Sequence, residues 1–124
     1  MIRDYYMQQI NALGKMLSVI LSQFLSKNEG IDWHNLETKI QENEDLLKLY
    51  KETDLDLFEK NIKSFNKKNE ITLQLIHFFY TIYKNEPNKV LHGKKCLILF
   101  DHLDAITPET MQIFKELKKD TKNL

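Results

Sequence analysis

His92 and Cys96 stand four residues apart in a stretch with helical patterning, so they share one helix face and could offer two ligands to a metal ion. Two ligands do not close a site. Asp101 and His102 are out of register with that pair, and a structural zinc site would need a second pair of ligands. The plainer reading is an exposed histidine beside a buried thiol. Cys96 could also act as a nucleophile with His77 or His102 as its base, if the fold brought them together. Its setting argues otherwise: Leu97, Ile98, Leu99 and Phe100 follow it, and a lone cysteine in such a run behaves as a small hydrophobe. His77, in the run Ile76-His77-Phe78-Phe79-Tyr80, reads as an interior or boundary histidine. His34 follows Trp33 in a first helical turn and reads as exposed.

The carboxylates Glu42, Glu44 and Asp45, then Asp54 and Asp56, lack calcium-loop spacing and alternate with Lys39 and Lys48 as a solvated face. There is no Gly-rich phosphate loop, nucleophile elbow or zinc-protease motif. The sequence therefore assigns no catalytic residue, no metal ligand and no cofactor.

Composition narrows the class. Hydrophobic residues make up 42% and charged residues 29% of the 124, a globular balance rather than a disordered one. Only 3 Gly and 2 Pro leave few of the turns that strands need, which favours an all-α fold. The formal net charge is zero, from 18 basic and 18 acidic residues, and Arg3 is the only arginine. A nucleic-acid partner needs a cationic surplus and leans on arginine for phosphate, so none is expected. A single cysteine excludes an intrachain disulfide and points to a reduced, cytoplasmic setting. Plentiful Lys and Asn fit an A/T-rich bacterial genome. The apolar stretch 16–25 is preceded by Asp4, Gln8, Gln9, Asn11 and Lys15, which makes it amphipathic rather than a secretory or membrane-spanning core.

These residues must be positioned by helices. Tyr6, Ile10, Leu13, Leu17, Ile20 and Phe24 alternate in steps of four and three, which predicts a first helix over 3–26. At about 24 residues it would run roughly 36 Å. A second stripe carries Tyr5, Ala12, Met16, Val19, Leu21 and Leu25. Gly14 in the middle either permits close approach of a neighbour or is tolerated variation. The segment Asn28-Glu29-Gly30 ends the helix with a left-handed cap, and Asp32 caps a second helix reaching about residue 51. Trp33, Leu36, Ile40, Leu47 and Tyr50 line it; Asn43 and Glu44 interrupt the stripe and leave room for a bend or break. Asp56 and Glu59 have capping-box spacing and open a third helix with Phe58, Ile62 and Phe65, ending near Asn66. The stretch 69–104 is the most apolar part and reads as two back-to-back helices, 70–84 and 89–105, parted by Asn85-Glu86-Pro87-Asn88. The run 95–100 could form a buried strand, but no second strand exists to pair with it. Thr107-Pro108-Glu109 opens a last helix to about residue 119, with Met111, Phe114 and Leu117 inward and frayed residues after it.

The last three helices resemble a tetratricopeptide repeat with its capping helix. Cys96, Phe100 and Pro108 stand at the offsets of the repeat's small residue, aromatic and proline. Leu103 stands where a small residue is more usual and Tyr80 where the motif prefers Gly. With a lengthened turn, Ile76, Phe79, Tyr80 and Tyr83 take the packing positions of the first helix. The match covers about a third of the chain and appears once. The opening, from Asp4 through Tyr5, Met7, Ile10 and Leu13 to Gly14, is similar to that of a family of small uncharacterised bacterial proteins beginning D-Y-x-M-x-x-I-x-x-L-G. That resemblance implies an all-helical bacterial protein and carries over no catalytic residue.

The sequence thus predicts an all-α array of five or six helices in one domain, 1–124, with 1–27 a long amphipathic helix and 69–122 a tetratricopeptide-like hairpin plus cap. The expected role is protein–protein interaction, through a partner docked on apolar helix faces or through a two-fold homodimer. The expected interaction face is Tyr5, Tyr6, Ile10, Leu13, Leu17, Ile20 and Phe24, because two adjacent stripes offer more apolar surface than one flank of a small bundle covers. The alternative is a small enzyme or ligand-binding protein using Cys96 and a histidine in a helix-lined pocket. Lys15 is one of only two basic residues before Lys27, too few for strong attraction to a membrane surface.

Overall fold

The computed structural model describes residues 2–25, 30–65, 69–86 and 89–121, with side chains from Ala12 onward except those of 64, 65 and 121. Seven helices follow one another: α1 (Ile2–Gln23), α2 (Trp33–Ile40), α3 (Glu44–Lys51), α4 (Leu55–Phe65), α5 (Asn69–Asn85), α6 (Val90–Phe100) and α7 (Pro108–Thr121). Among the described residues there is no strand, and the run 95–100 lies in α6. No described helix is long and apolar enough to cross a membrane.

The α5–α6 hairpin is the centre of the fold. Its two helices make the most extensive pairing in the molecule; α1 packs on α5, while α4 and α7 pack on α6. One continuous core draws on all seven helices, from Leu13 and Leu17 in α1 to Ile113 and Leu117 in α7. Ile71, Thr72, Leu75, Ile76, Phe78, Phe79, Ile82 and Tyr83 are buried along α5, so apolar residues cover more than one side, as their all-round distribution demands. Each fully buried Leu, Ile or Phe contributes about 1.5–3 kcal/mol over its exposed state.

Local chemistry explains where the helices start and stop. Asp32 caps α2 by accepting from the Asn35 amide at 3.2 Å. The helix expected over 32–51 is broken in two, because the Asn43 side chain accepts from the Leu46 amide at 3.0 Å and starts a new helix there. The cap of α4 is Asp54 rather than Asp56: its carboxylate accepts from the amides of Asp56 at 2.9 Å and Leu57 at 3.3 Å. Glu59, expected to complete that box, instead lies 3.9 Å from Lys63 and 3.4 Å from His102. Helix α6 stops at Phe100, short of residue 105, where the amides of Asp101, His102 and Leu103 each turn back three residues. Thr107 caps α7 as expected, its hydroxyl accepting from the Thr110 amide at 3.3 Å while the Thr110 hydroxyl accepts from the Thr107 amide at 3.0 Å. The buried face of α7 is Thr110, Ile113 and Leu117. Met111 and Phe114, expected inward with Leu117, are half-buried at its edge, and Phe114 meets Phe100 with ring centroids 5.1 Å apart.

Part of the expected interaction face on α1 is covered within the chain itself. Leu13, Leu17 and Ile20 are 0–1% exposed and belong to the chain's own core. Phe24 is half-buried against the same core. Helix α5 covers this stripe, with the Gln74 amide nitrogen donating to the Gly14 carbonyl at 3.3 Å and to the Ser18 hydroxyl at 2.8 Å. The side chains of Tyr5, Tyr6 and Ile10 lie outside the described residues, as do residues 26–29, 66–68, 87–88 and 122–124, where the end of the first helix, the end of the third, part of the central turn and the frayed tail were expected. Gly30 takes the left-handed conformation at φ 92°, but in the connector before α2 rather than as a cap of α1.

Two glycines now separate. A Cβ on Gly14 would make ordinary contacts, 3.6 Å from Gln74 and 3.9 Å from Ile71. A Cβ on Gly93 would press the Tyr83 ring at 3.3 Å, so Gly93 is what lets the central hairpin close. Gly14→Ala is expected to stabilise by about 0.5–1 kcal/mol through helix propensity. Gly93→Ala is expected to destabilise by about 1 kcal/mol or more, because the buried Tyr83 ring must give way. Thermal unfolding of the two variants beside the parent should move the midpoint in opposite directions; movement in the same direction would contradict this packing.

Candidate functional site

Helix α6 is short and buried on most of its circumference, and it carries the three reactive side chains of the core. His92, Lys95, Cys96 and Leu99 follow one another in steps of three, one and three and are all buried. They divide between two neighbours. Cys96 faces α5, where its thiol donates to the Ile76 carbonyl at 3.3 Å. Burial pushes that thiol far above its ordinary range, so it is protonated and weakly nucleophilic at neutral pH. The expectation of a buried cysteine holds.

Lys95 was not singled out in the sequence, and it is the centre of the site. Its side chain is fully buried. The ammonium donates to the Leu49 carbonyl at 2.7 Å and to the Tyr50 carbonyl at 3.0 Å. Those carbonyls belong to the last turn of α3, which has no amides of its own left to satisfy them. The neighbouring Lys48 carbonyl is taken by the Glu52 amide. A cation at this end also meets the negative pole of the helix dipole. The same ammonium lies 5.2 Å from the centroid of Phe58 and 5.3 Å from that of Phe79, in reach of the negative faces of both rings. Desolvation lowers its pKa to about 8, and Glu52 opposes the shift.

His92, expected to be exposed, is buried. It stacks on Tyr50 at 5.7 Å and 17°, and on Phe79 at 5.9 Å and 23°. Its Nδ1 is buried without a hydrogen-bond partner. Desolvation, then the charges of Lys95 and Lys89, lower its pKa to about 4, with Glu86 opposing. The ring is therefore neutral at physiological pH. It lies on the same helix as Cys96 but is engaged by Tyr50 and Phe79, while the Cys96 thiol is engaged by Ile76.

The other histidines are elsewhere. His102 meets the Glu59 carboxylate at 3.4 Å, His77 is half-buried on α5, and His34 is exposed on α2. The nucleophile–base pair of Cys96 with His77 or His102 is not formed by any of these contacts. Among the described residues no three His, Cys, Asp or Glu side chains converge as a metal ion would require.

Chemically, the site is a clamp. A desolvated amine with a pKa near 8 is a competent nucleophile where a substrate can reach it. Here the amine is enclosed by aromatic rings and carries two carbonyl partners, so its donors are used to hold the end of α3 against α6. One sequence signal pointed to it: Lys95 falls three residues after His92 and four before Leu99, inside the buried stripe. Its neighbour Lys94 falls outside the stripe and is exposed.

Comparison of the chain with protein-family models, with curated proteins and with solved structures finds no match.

Two measurements check the site. Under native conditions Cys96 should react with a thiol reagent only as fast as the core opens; rapid labelling at neutral pH would contradict its burial. Lys95→Met keeps the length of the side chain and removes its donors, leaving the Leu49 and Tyr50 carbonyls unpaired. A loss of about 2–3 kcal/mol in urea unfolding is expected, since each orphaned carbonyl costs about 1–3 kcal/mol and relief of the buried charge offsets part. An unchanged midpoint would show that the clamp contributes nothing.

Proposed function

We propose that this chain is a helical protein–protein interaction module. The observation that carries the reading is the internal use of every reactive group in the core: Cys96 on Ile76, Lys95 on the end of α3, and His92 on Tyr50 and Phe79. With these groups engaged in packing, the outer surface is where the chain meets other molecules. Leu13, Leu17 and Ile20 of the stripe first expected to do so are buried in the chain's own core, and this reading places docking at other apolar positions. Leu57 on α4 is 48% exposed and Ile106, before α7, is 37% exposed; both are large hydrophobic side chains in contact with water.

The tetratricopeptide-like reading of 69–122 belongs to the same proposal. A hairpin such as α5–α6, with α7 packed on its second helix, is what one repeat and its cap would require. So do the resemblance of the opening to the bacterial family, a bacterial origin and a cytoplasmic setting.

The test is site-specific crosslinking in living cells. A photoreactive residue replaces Leu57 or Ile106 in the full chain, and a control chain carries it at exposed Lys60. A discrete adduct from position 57 or 106 that the control lacks is expected. Its mass distinguishes a second copy of this chain from another protein. If neither position gives an adduct beyond the control, the interaction surface lies elsewhere and this reading of it falls.

A further inference from the structure

We infer that α2 and α3 form a flap that acid releases: a proton on His92 sets a second cation beside Lys95 in one aromatic cage, and the docking of the α3 end on α6 is what yields.

The flap depends on tertiary contacts for its structure. Helices α2 and α3 have eight residues each, too short to persist without tertiary support. They insert Leu36, Ile40, Leu46 and Leu49 into the core. At its C-terminal end α3 is attached to α6 by two adjacent contacts, the Lys95 ammonium on the Leu49 and Tyr50 carbonyls and the His92 ring on the Tyr50 ring. His92 precedes Lys95 by one helical turn, and both lie against Phe79.

The cage disfavours a proton on His92, through burial first and then the charges of Lys95 and Lys89. The Nδ1 of His92 is buried and unpartnered, so an imidazolium would lack an acceptor there. The groups around it cannot supply one cheaply. From α3 comes Tyr50, a phenol held neutral and donating to Glu37 of α2 at 3.2 Å. After α3 stands Glu52, whose charge favours the Lys95 cation. After α5 stands Glu86, whose charge favours a proton on His92 but is outweighed by burial and by Lys95 and Lys89, and whose Oε2 lies 2.7 Å from the Lys89 ammonium. From α5 and α4 come Phe78, Phe79 and Phe58, which carry no charge. From α6 itself comes the Lys95 cation. Opening the flap hydrates His92 and relieves both the desolvation and the repulsion.

The direction follows from linkage. His92 has a pKa of about 4 when docked and 6.5 when hydrated, so the open form binds more protons between those values. Docking carries no proton penalty above pH 6.5, and the penalty grows as pH falls toward 4. Lys95 stays cationic through that window. Between pH 7.5 and pH 5.0 the opening equilibrium should shift by about 30-fold.

Hydrogen exchange on the full chain, corrected for the intrinsic pH dependence of exchange, reads this segment by segment. Protection across 33–51 should fall about 30-fold from pH 7.5 to pH 5.0 while protection across α5 changes far less. His92→Phe keeps a stacking ring that cannot be protonated, and should retain protection at both pH values. Equal loss across α5 would mean global acid unfolding and would overturn the inference. So would a flat response in the parent chain, or an undiminished acid loss in His92→Phe. Should that variant not fold, an NMR titration of the parent decides: the His92 ring must resist protonation until the signals of Tyr50 shift with it, and independent titration near pH 6.5 would overturn the proposal.

Discussion

A cation enclosed in a dry interior has to be satisfied where it stands, because no water can follow it there. Lys95 meets that constraint with two carbonyls of α3 and two aromatic faces, one from α4 and one from α5. A charge so placed does more than fill space. It requires α3 to end at one position, Phe58 to lie under it and α6 to present one face, since any other register leaves an unpaired ammonium. Apolar packing tolerates small displacements at modest cost; a buried cation does not. The hairpin supplies the centre of the core, and Lys95 supplies the specification of how the short helices dock on it.

The opposite side of the hairpin is held differently. Between α5 and α7 the Glu116 carboxylate accepts from the Tyr80 hydroxyl and the Lys84 ammonium, both at 2.6 Å. Hydrogen bonds from Lys84 and Tyr80 hold Glu116 below the usual carboxylate range, and burial followed by Glu116 pushes Tyr80 up to about 12. This network is open to water at Lys84 and Glu116, so its strength is that of a surface pair, and α7 depends mainly on Ile113, Leu117 and the Phe100–Phe114 contact. Thus one flank of α6 is fixed by a buried charge and the other by apolar contact with a polar rim. The first is sensitive to protonation, the second to loss of side-chain volume.

This division bears on function. The groups that in isolation suggest catalysis, a thiol, an imidazole and an amine, lie within two turns of one helix, yet the thiol is turned to Ile76 while the imidazole and the amine are turned to Tyr50 and Phe79. Their shifted pKa values come from burial within the fold, which is a common origin of such shifts outside active sites. The proposed interaction role asks less of the interior and leaves it free to be optimised for docking short helices.

Helical patterning was strong enough to be read without coordinates. Steps of three and four along 69–104, scarce Gly and Pro, and the signals at Asp32, Asn43, Asn85 and Thr107 determine an all-helical chain and most of its breaks, because periodicity and capping act within a few residues. Burial of Cys96 was legible for the same reason, from its immediate apolar neighbours. What covers a stripe is not local. Leu13, Leu17 and Ile20 look identical in sequence whether they face a second protein or, as they do, α5 of their own chain. Asp54 took the cap expected of Asp56 by two residues, a choice between neighbouring carboxylates that only the final turn geometry makes. Lys95 and His92 were the furthest from reach: their partners lie on α3, α4 and α5, tens of residues away in sequence. A lysine on a helix is ordinarily solvated, and only the arrival of the α3 carbonyls at its ammonium makes burial tolerable, so that decision belonged to the tertiary structure.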